Sequence, residues 1–201
     1  MSVLEAKNVT FSYPHGRRVL DGVSMRVASD ERVALSAPSG FGKSTLCQIL
    51  AGYLRPDAGE VLLDGVAFGA ESGQPNPVQL IWQHPEAAVD PYLRVGSSMR
   101  EGGEVPSELV TGLGIREEWL GRFSHELSGG ELQRCCIART LAARPRFIIA
   151  DEISTMLDAI TQAQIWEFLL SYCVEHEVGL VLVTHSEALQ RRLATRVVKL
   201  R

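Results

Sequence analysis

Ala37-Pro38-Ser39-Gly40-Phe41-Gly42-Lys43-Ser44-Thr45 is the stretch that decides the fold of this 201-residue chain. It fits the pattern Gly-x-x-x-x-Gly-Lys-Ser/Thr, except that alanine occupies the first glycine position. A short apolar run at 32–35 precedes it, and a segment with helical apolar spacing, 44–50, follows it. A strand that runs through a glycine-rich loop into a helix is a phosphate-binding unit. We therefore predict that ATP and Mg²⁺ bind at this loop.

The residue types in the loop each suit a part of a nucleotide. Backbone N–H groups of the loop and of the helix start would face the α- and β-phosphates. Lys43 would neutralise the β- and γ-phosphates, Ser44 would ligate Mg²⁺, and Thr45 would donate to the α-phosphate. Ala37 would cost roughly 1–2 kcal/mol only if its backbone had to be left-handed. The alternative is a glycine-rich loop that arose by chance.

A second candidate site is an apolar run, 147–150, that ends in Asp151 and Glu152. A continuous apolar run of this length is typical of a strand that is buried on both faces. Asp151 would hold Mg²⁺ through water, and Glu152 would polarise the attacking water as a general base. A strand that ends in an acidic surface turn is the alternative.

The remaining sequence predicts an α/β fold with a mainly parallel sheet, as expected of a P-loop NTPase core. Residues 3–11 and 23–27 flank a turn-rich stretch at 13–16 and predict an N-terminal antiparallel β subdomain. Residues from about 85 to 126 contain no clean strand and predict a helical subdomain inserted between core segments 1–84 and 127–201. Other predicted strands are 60–63, 78–82 and 179–184, and helices are predicted at 130–142 and along the stripe Trp166, Leu169, Leu170, Cys173 and Val174.

A third motif, Leu127-Ser128-Gly129-Gly130-Glu131, stands before a predicted helix and upstream of the acidic pair. Two glycines permit close backbone approach, and a serine hydroxyl at a helix start suits a phosphate. With this motif the sequence resembles the ATP-binding cassette (ABC) family, whose LSGGQ signature is matched with Glu131 in the last position. The resemblance implies that the signature of one subunit caps the γ-phosphate held by the phosphate loop of a second subunit.

Candidates for the other landmarks of that family follow in the family's order. The resemblance implies that Tyr13 stacks on adenine, that Gln83 reaches Mg²⁺ and the attacking water, and that His185 contacts the γ-phosphate. Taken alone, an exposed tyrosine or histidine at a strand end is an ordinary surface residue. Asp158 matches the D-loop, which would cross the dimer interface. The sequence departs from the family pattern at Ala37, at Ile153 in place of proline, and at Met156 in place of alanine.

Longer strings, at 82–86, 123–130 and 157–165, resemble the ATPases of peptide and nickel importers. The resemblance implies separate transmembrane permease subunits, which would dock in a groove at about 83–95, and indirectly a substrate-binding protein. It also implies a homodimer, or a heterodimer with a second ABC ATPase. These strings do not name the substrate. ATPases of that branch often carry a tail beyond the histidine, so a compact member and a different importer type both stay open.

Composition narrows the partners and the location. The chain has 20 Lys and Arg against 24 Asp and Glu, a net charge of -4, which argues against nucleic acid as the main partner. The start of the chain lacks secretory-signal features and its apolar runs are too short to cross a bilayer. We therefore expect a cytoplasmic protein, peripheral on the cell membrane. The four cysteines lack zinc-site spacing and are expected to be buried thiols.

Two other functions are compatible with the motifs. One is a soluble ABC ATPase that acts in DNA repair or on ribosomes, although such proteins usually carry two cassettes, a coiled-coil insertion or basic surfaces. The other is a regulatory module that binds nucleotide without turnover, a reading motivated by Ala37.

Overall fold

The computed structural model describes residues 1–14, 16–67, 75–155 and 157–200, in which the chain forms two sheets. The first sheet is antiparallel, in the order β2-β1-β4-β5, and the second is parallel, in the order β6-β7-β8-β3-β9. The strands are β1 (Val3–Ser12), β2 (Arg18–Ala28), β3 (Arg32–Ser36), β4 (Ala58–Leu63), β5 (Val66–Ala67), β6 (Val78–Ile81), β7 (Phe147–Asp151), β8 (Gly179–Val183) and β9 (Arg196–Lys199). The predicted α/β class, with its parallel core and N-terminal antiparallel sheet, is confirmed.

Helices connect the parallel strands and fill the segment between β6 and β7. They are α1 (Lys43–Leu50), α2 (Val95–Arg100), α3 (Ser107–Gly112), α4 (Glu117–Leu120), α5 (Gly129–Ala142), α6 (Ala159–Glu175) and α7 (Glu187–Leu193). Short 3-10 turns lie at Pro85–Ala88 and Ser124–Glu126. None of the described helices combines the length and apolar character that a membrane span needs.

The parallel sheet separates two apolar clusters because neighbouring residues along a strand point to opposite faces. In β7, Phe147 and Ile149 face one cluster, while Ile148 and Ala150 face the other. Helix α1 and the antiparallel sheet cover the first cluster, and helices α2 to α6 cover the second. This layering buries β7 and β8 completely, as their continuous apolar sequences predict.

Two details differ from the sequence prediction. Val174 is 67% exposed, so it does not belong to the buried stripe of α6 that Trp166 and Leu169 form. Strand β9 and helix α7 were not predicted, since β9 is a mostly exposed edge strand without an apolar run. His15 of the predicted turn and Met156 of the predicted D-loop lie outside the described residues.

The cysteines are buried thiols, in agreement with their expected structural role. Burial raises the pKa of Cys135, Cys136 and Cys173 to about 12, so these thiols stay protonated at neutral pH. A protonated thiol is neither a good nucleophile nor a metal ligand.

A glycine contact in the antiparallel sheet gives a stability prediction. Gly59 has φ +81°, and a Cβ added there would lie 2.4 Å from the carbonyl oxygens of Lys7 and Asn8. Gly65 has φ +79° but nothing within 4 Å of such an atom, so it is a matched control. We expect Gly59→Ala to lower the free energy of unfolding by about 3 kcal/mol or more, from left-handed strain plus the clash. Gly65→Ala should cost only about 1–2 kcal/mol. Equal losses in urea unfolding would contradict the close approach.

Candidate functional site

Four adjacent parallel strands bring the predicted residues to one edge of the sheet. In the order β6-β7-β8-β3, Gln83 follows the first strand, and Asp151 ends the second with Glu152 next to it. His185 follows the third strand and the phosphate loop follows the fourth. The carboxyl ends of parallel strands are where open α/β sheets bind ligands. Strand order therefore assembles residues that are far apart in the sequence.

The phosphate loop, residues 37–42, depends on left-handed glycines. Gly40 and Gly42 have φ of +80° and +79°, and a Cβ at Gly42 would lie 2.7 Å from Leu20 Cδ2. Ala37 is not among the non-glycine residues with positive φ, and it packs against the apolar cluster around α1. The alanine therefore carries no left-handed penalty, and the observation that motivated a module without turnover loses its force.

Lys43 lies at the start of α1 with its charge turned into the loop. The side chain is buried, and Nζ donates to the carbonyl oxygens of Ala37 at 2.9 Å and Pro38 at 3.1 Å. An ammonium has three donors, so one donor is left for a phosphate oxygen. The loop therefore combines a fixed positive charge with the N-terminal N–H groups of α1, which favours a bound anion.

Tyr13 and Thr45 lie side by side next to this loop. The Tyr13 hydroxyl is 3.2 Å from Thr45 Oγ1, and its ring packs edge-on against Phe11 with 5.0 Å between centroids. Tyr13 is 43% exposed. The predicted adenine contact and the predicted α-phosphate contact are thus neighbours in the structure.

Glu152 is the centre of a polar cluster. Its Oε2 accepts a hydrogen bond from Gln83 Nε2 at 3.2 Å, and its Oε1 is 2.7 Å from His185 Nε2. Its side chain is only 12% exposed, against 56% for His185. The Glu152 backbone is left-handed, with φ 51°, so the chain turns sharply at the end of β7. Both carboxylate oxygens are therefore held in place at the strand edge.

Asp151 and Ser44 form the part of the site that suits a metal ion. Burial raises the pKa of Asp151, while a hydrogen bond with the Ser44 side chain opposes the rise. Asp151 Oδ1 is buried without a hydrogen-bond partner, which is costly for a carboxylate unless a cation compensates. Within the described ranges, no group of three or more His, Cys, Asp or Glu could hold a metal ion. A Mg²⁺ ion commonly takes several of its ligands from substrate phosphates and water as well as from protein side chains.

The signature motif lies at a separate place. Ser128 caps α5, Leu127 packs against the cluster beneath, and Gly129, Gly130 and Glu131 form the first turn. Ser128, Glu131 and Asp158 line a cavity of about 570 Å³ whose walls include no phosphate-loop residue. One chain thus presents two distinct sets of predicted site residues.

Sequence reasoning missed three side chains of α5, which we call the α5 ladder: Gln133, Cys136 and Arg139. Each donates to a backbone carbonyl in the segment after β6: Gln133 Nε2 to Trp82 at 3.3 Å, Cys136 Sγ to Pro85 at 3.6 Å, and Arg139 to Ala88. A spacing of three residues on a helix is typical of any packed face, so the sequence carries no signal for these bonds. The ladder ties the signature helix to the segment 82–88, which includes Gln83.

Comparisons with known sequences agree with this arrangement. The family described as ABC transporter matches residues 20–155. The probable D,D-dipeptide transport ATP-binding protein DdpF of Escherichia coli strain K12 is 32% identical over 190 residues, covering 89% of this chain and 59% of that protein. The Fe(3+) ions import ATP-binding protein FbpC of Serratia marcescens is 33% identical over 211 residues, covering 100% of this chain and 61% of that protein. The chain thus spans less than two thirds of these relatives.

Solved structures give the same result for the fold. A bacterial ABC transporter cassette in dimeric form has a TM-score of 0.86 at 26% identity, covering 98% of this chain and 94% of that one. A dimeric ATP-binding cassette in a post-hydrolysis state bound to ADP and Pi has a TM-score of 0.85 at 26% identity, with the same coverage. The sheet order and the phosphate loop define a P-loop nucleotide-binding protein. Within that class, the chain belongs to the ABC transporter family.

Proposed function

We propose that the chain is the ATP-binding and ATP-hydrolysing subunit of an ABC importer, powering substrate movement through separate membrane subunits. The observation that carries this proposal is the contact of Gln83 and His185 with Glu152, beside Asp151 and the phosphate loop. Relatives named for D,D-dipeptide transport and Fe(3+) import support an import role. Peptides and metal chelates are the substrate classes that this similarity suggests.

The side chains divide the chemistry among them. The phosphate loop and Lys43 bind the phosphates, while Tyr13 offers its exposed ring to the base. Ser44, Asp151 and Gln83 would hold Mg²⁺, which when bound would neutralise charge on the β- and γ-phosphates.

Glu152 is the proposed general base, because its carboxylate is fixed and largely shielded from solvent. A water that attacks the γ-phosphate must lose a proton, and the Glu152 carboxylate would accept it. Gln83 and His185 each engage one carboxylate oxygen, so they orient the base. His185 would also reach the γ-phosphate.

The site is proposed to be completed by another subunit. Ser128 and Asp158 lie in a cavity apart from the phosphate loop of their own chain, so they can serve the nucleotide of a second cassette. Dimeric cassettes among the similar structures support this arrangement. The partner is a second copy or a different ABC ATPase.

Residues 1–84 and 127–201 are proposed to be the catalytic core, and about 85–126 the helical subdomain. The segment from Gln83 to about Val95, where the first part passes into the second, is proposed as the groove that receives the membrane subunits. Tyr92 is 88% exposed in this segment. Next to this segment in the sequence, Trp82 packs against Tyr53 with 5.1 Å between the ring centroids. Permease binding would place the chain on the cytoplasmic face of the membrane, where it would act with a substrate-binding protein only indirectly.

Loss of the exposed aromatic side chain should test the groove. We expect Tyr92→Ser to reduce copurification of membrane-spanning subunits about tenfold, because exposed tyrosines are frequent anchors of interfaces. Val174→Ser is the control, since Val174 is 67% exposed on α6, outside the groove. Quantitative affinity capture from detergent-solubilised native membranes measures the effect. Equal capture by both variants, or capture of DNA or ribosomes instead, would contradict the groove or the transport role.

A further inference from the structure

The Ser128 hydroxyl is engaged within its own chain. Ser128 Oγ donates to Glu131 Oε2 at 2.9 Å, and the Ser128 backbone N–H donates to the same oxygen at 2.8 Å. In return, the Glu131 N–H approaches Ser128 Oγ at 3.4 Å. These bonds form a capping box that closes the first turn of α5.

This arrangement places Glu131 in competition with a phosphate. A serine hydroxyl has a single proton to donate, and here the Glu131 carboxylate receives it. Ser128 can donate to a γ-phosphate oxygen only after its hydroxyl leaves Glu131. A glutamine at this position would accept from the same N–H without carrying a charge.

The arginines near Glu131 act on its charge less than Ser128 does: attraction by Arg122 and Arg116 lowers the pKa of Glu131, but by less than the hydrogen bonds from Ser128. Hydrogen bonds from the Ser128 backbone and side chain lower the pKa of Glu131, so it is anionic at neutral pH. Arg116 pairs with Glu118 at 3.7 Å. Arg134 donates to the Leu113 carbonyl at 2.6 Å and to Gln164 Oε1 at 3.3 Å. A second anion that approached Ser128 would therefore meet a negative carboxylate.

We infer that Glu131 is a positioning residue that restrains pairing of the cassettes: it holds the Ser128 hydroxyl in a hydrogen bond to its own carboxylate and opposes the approach of the partner's γ-phosphate. This inference rests on the proposed composite site, in which Ser128 serves the nucleotide of another subunit. ATP-driven pairing must displace the hydroxyl from Glu131 and overcome the repulsion. Glu131 thus sets the ATP concentration at which two cassettes close.

The test uses Glu131→Gln in a Glu152→Gln background, where bound ATP persists. We expect half-maximal dimer formation at an ATP concentration about tenfold lower than in the parent, since one nearby like charge is removed. Added salt should promote pairing of the parent by screening the repulsion, and should affect Glu131→Gln less. Light scattering over a series of ATP and KCl concentrations measures both effects. A purely structural cap would not change the salt dependence.

Glu126→Gln is the matched control. Glu126 Oε2 accepts the Phe123 N–H at 2.7 Å, three residues back, as Glu131 does with Ser128, but it does not line the cavity. We expect the control to pair like the parent, and both variants to unfold at similar temperatures. If Glu131→Gln forms dimers at the same ATP concentration as the parent, or with the same salt dependence, this inference is overturned. The proposed composite site would remain intact in that case. Absence of ATP-dependent dimers in the parent would overturn self-pairing through a composite site as well.

Discussion

Replacing Glu152 with glutamine should reduce ATP hydrolysis about 1,000-fold, within the usual range for loss of a general base, while ATP binding persists. The amide keeps the size of the side chain and can still meet Gln83 and His185, but it cannot accept the water proton. Because the nucleotide is then not consumed, the variant should accumulate as a dimer with ATP and remain monomeric without it.

Phosphate release and light scattering measure these two effects on one protein. Glu167→Gln is the control, because Glu167 is an exposed carboxylate on α6. If the native chain hydrolyses ATP at a negligible rate and Glu152→Gln does not change that rate, the ATPase assignment is contradicted. Persistent monomers at saturating ATP would contradict self-pairing and favour a second, different ATPase as the partner.

Replacing Lys43 with alanine should weaken ATP binding by about 100-fold or more. The change removes a buried ammonium and the charge-assisted hydrogen bond that it is proposed to make to a phosphate, and such bonds contribute about 1.5–3 kcal/mol each. It also releases the carbonyl oxygens of Ala37 and Pro38, which the ammonium holds. The substitution should therefore disturb the conformation of the phosphate loop as well as remove its positive charge.

Isothermal titration calorimetry with a slowly hydrolysed ATP analogue measures this loss. Lys7→Ala is the matched control, because Lys7 is 47% exposed and pairs with Glu5 at 3.5 Å on the antiparallel sheet. The control should bind like the native chain. If Lys43→Ala binds the ATP analogue with an affinity within a factor of three of the control, the assignment of the phosphate loop is contradicted.

Parts of the molecule with fixed residue chemistry were predictable from the sequence. The phosphate loop requires glycines and a lysine at set spacing, and continuous apolar runs identified the buried strands β7 and β8. The backbone angle of Ala37 and the α5 ladder were not predicted, and neither was the double hydrogen bond from Ser128 to Glu131. The ladder depends on the tertiary placement of common residue types, for which local patterns carry no signal. The Ser128–Glu131 bonds are local, and Ser-x-x-Glu before a helix is a capping-box pattern, so the sequence did carry a signal for them that the prediction did not use.

The α5 ladder attaches the signature helix rigidly to the segment after β6. Helix α5 has 14 residues and is therefore about 21 Å long, and its bonds fasten it to the backbone of Trp82, Pro85 and Ala88. A movement of the first turn of α5 would therefore displace the segment after Gln83 as well, because the bonds leave no hinge between them. Gln83 also bonds Glu152, so the same linkage ends at the proposed base on one side and at the proposed docking groove on the other.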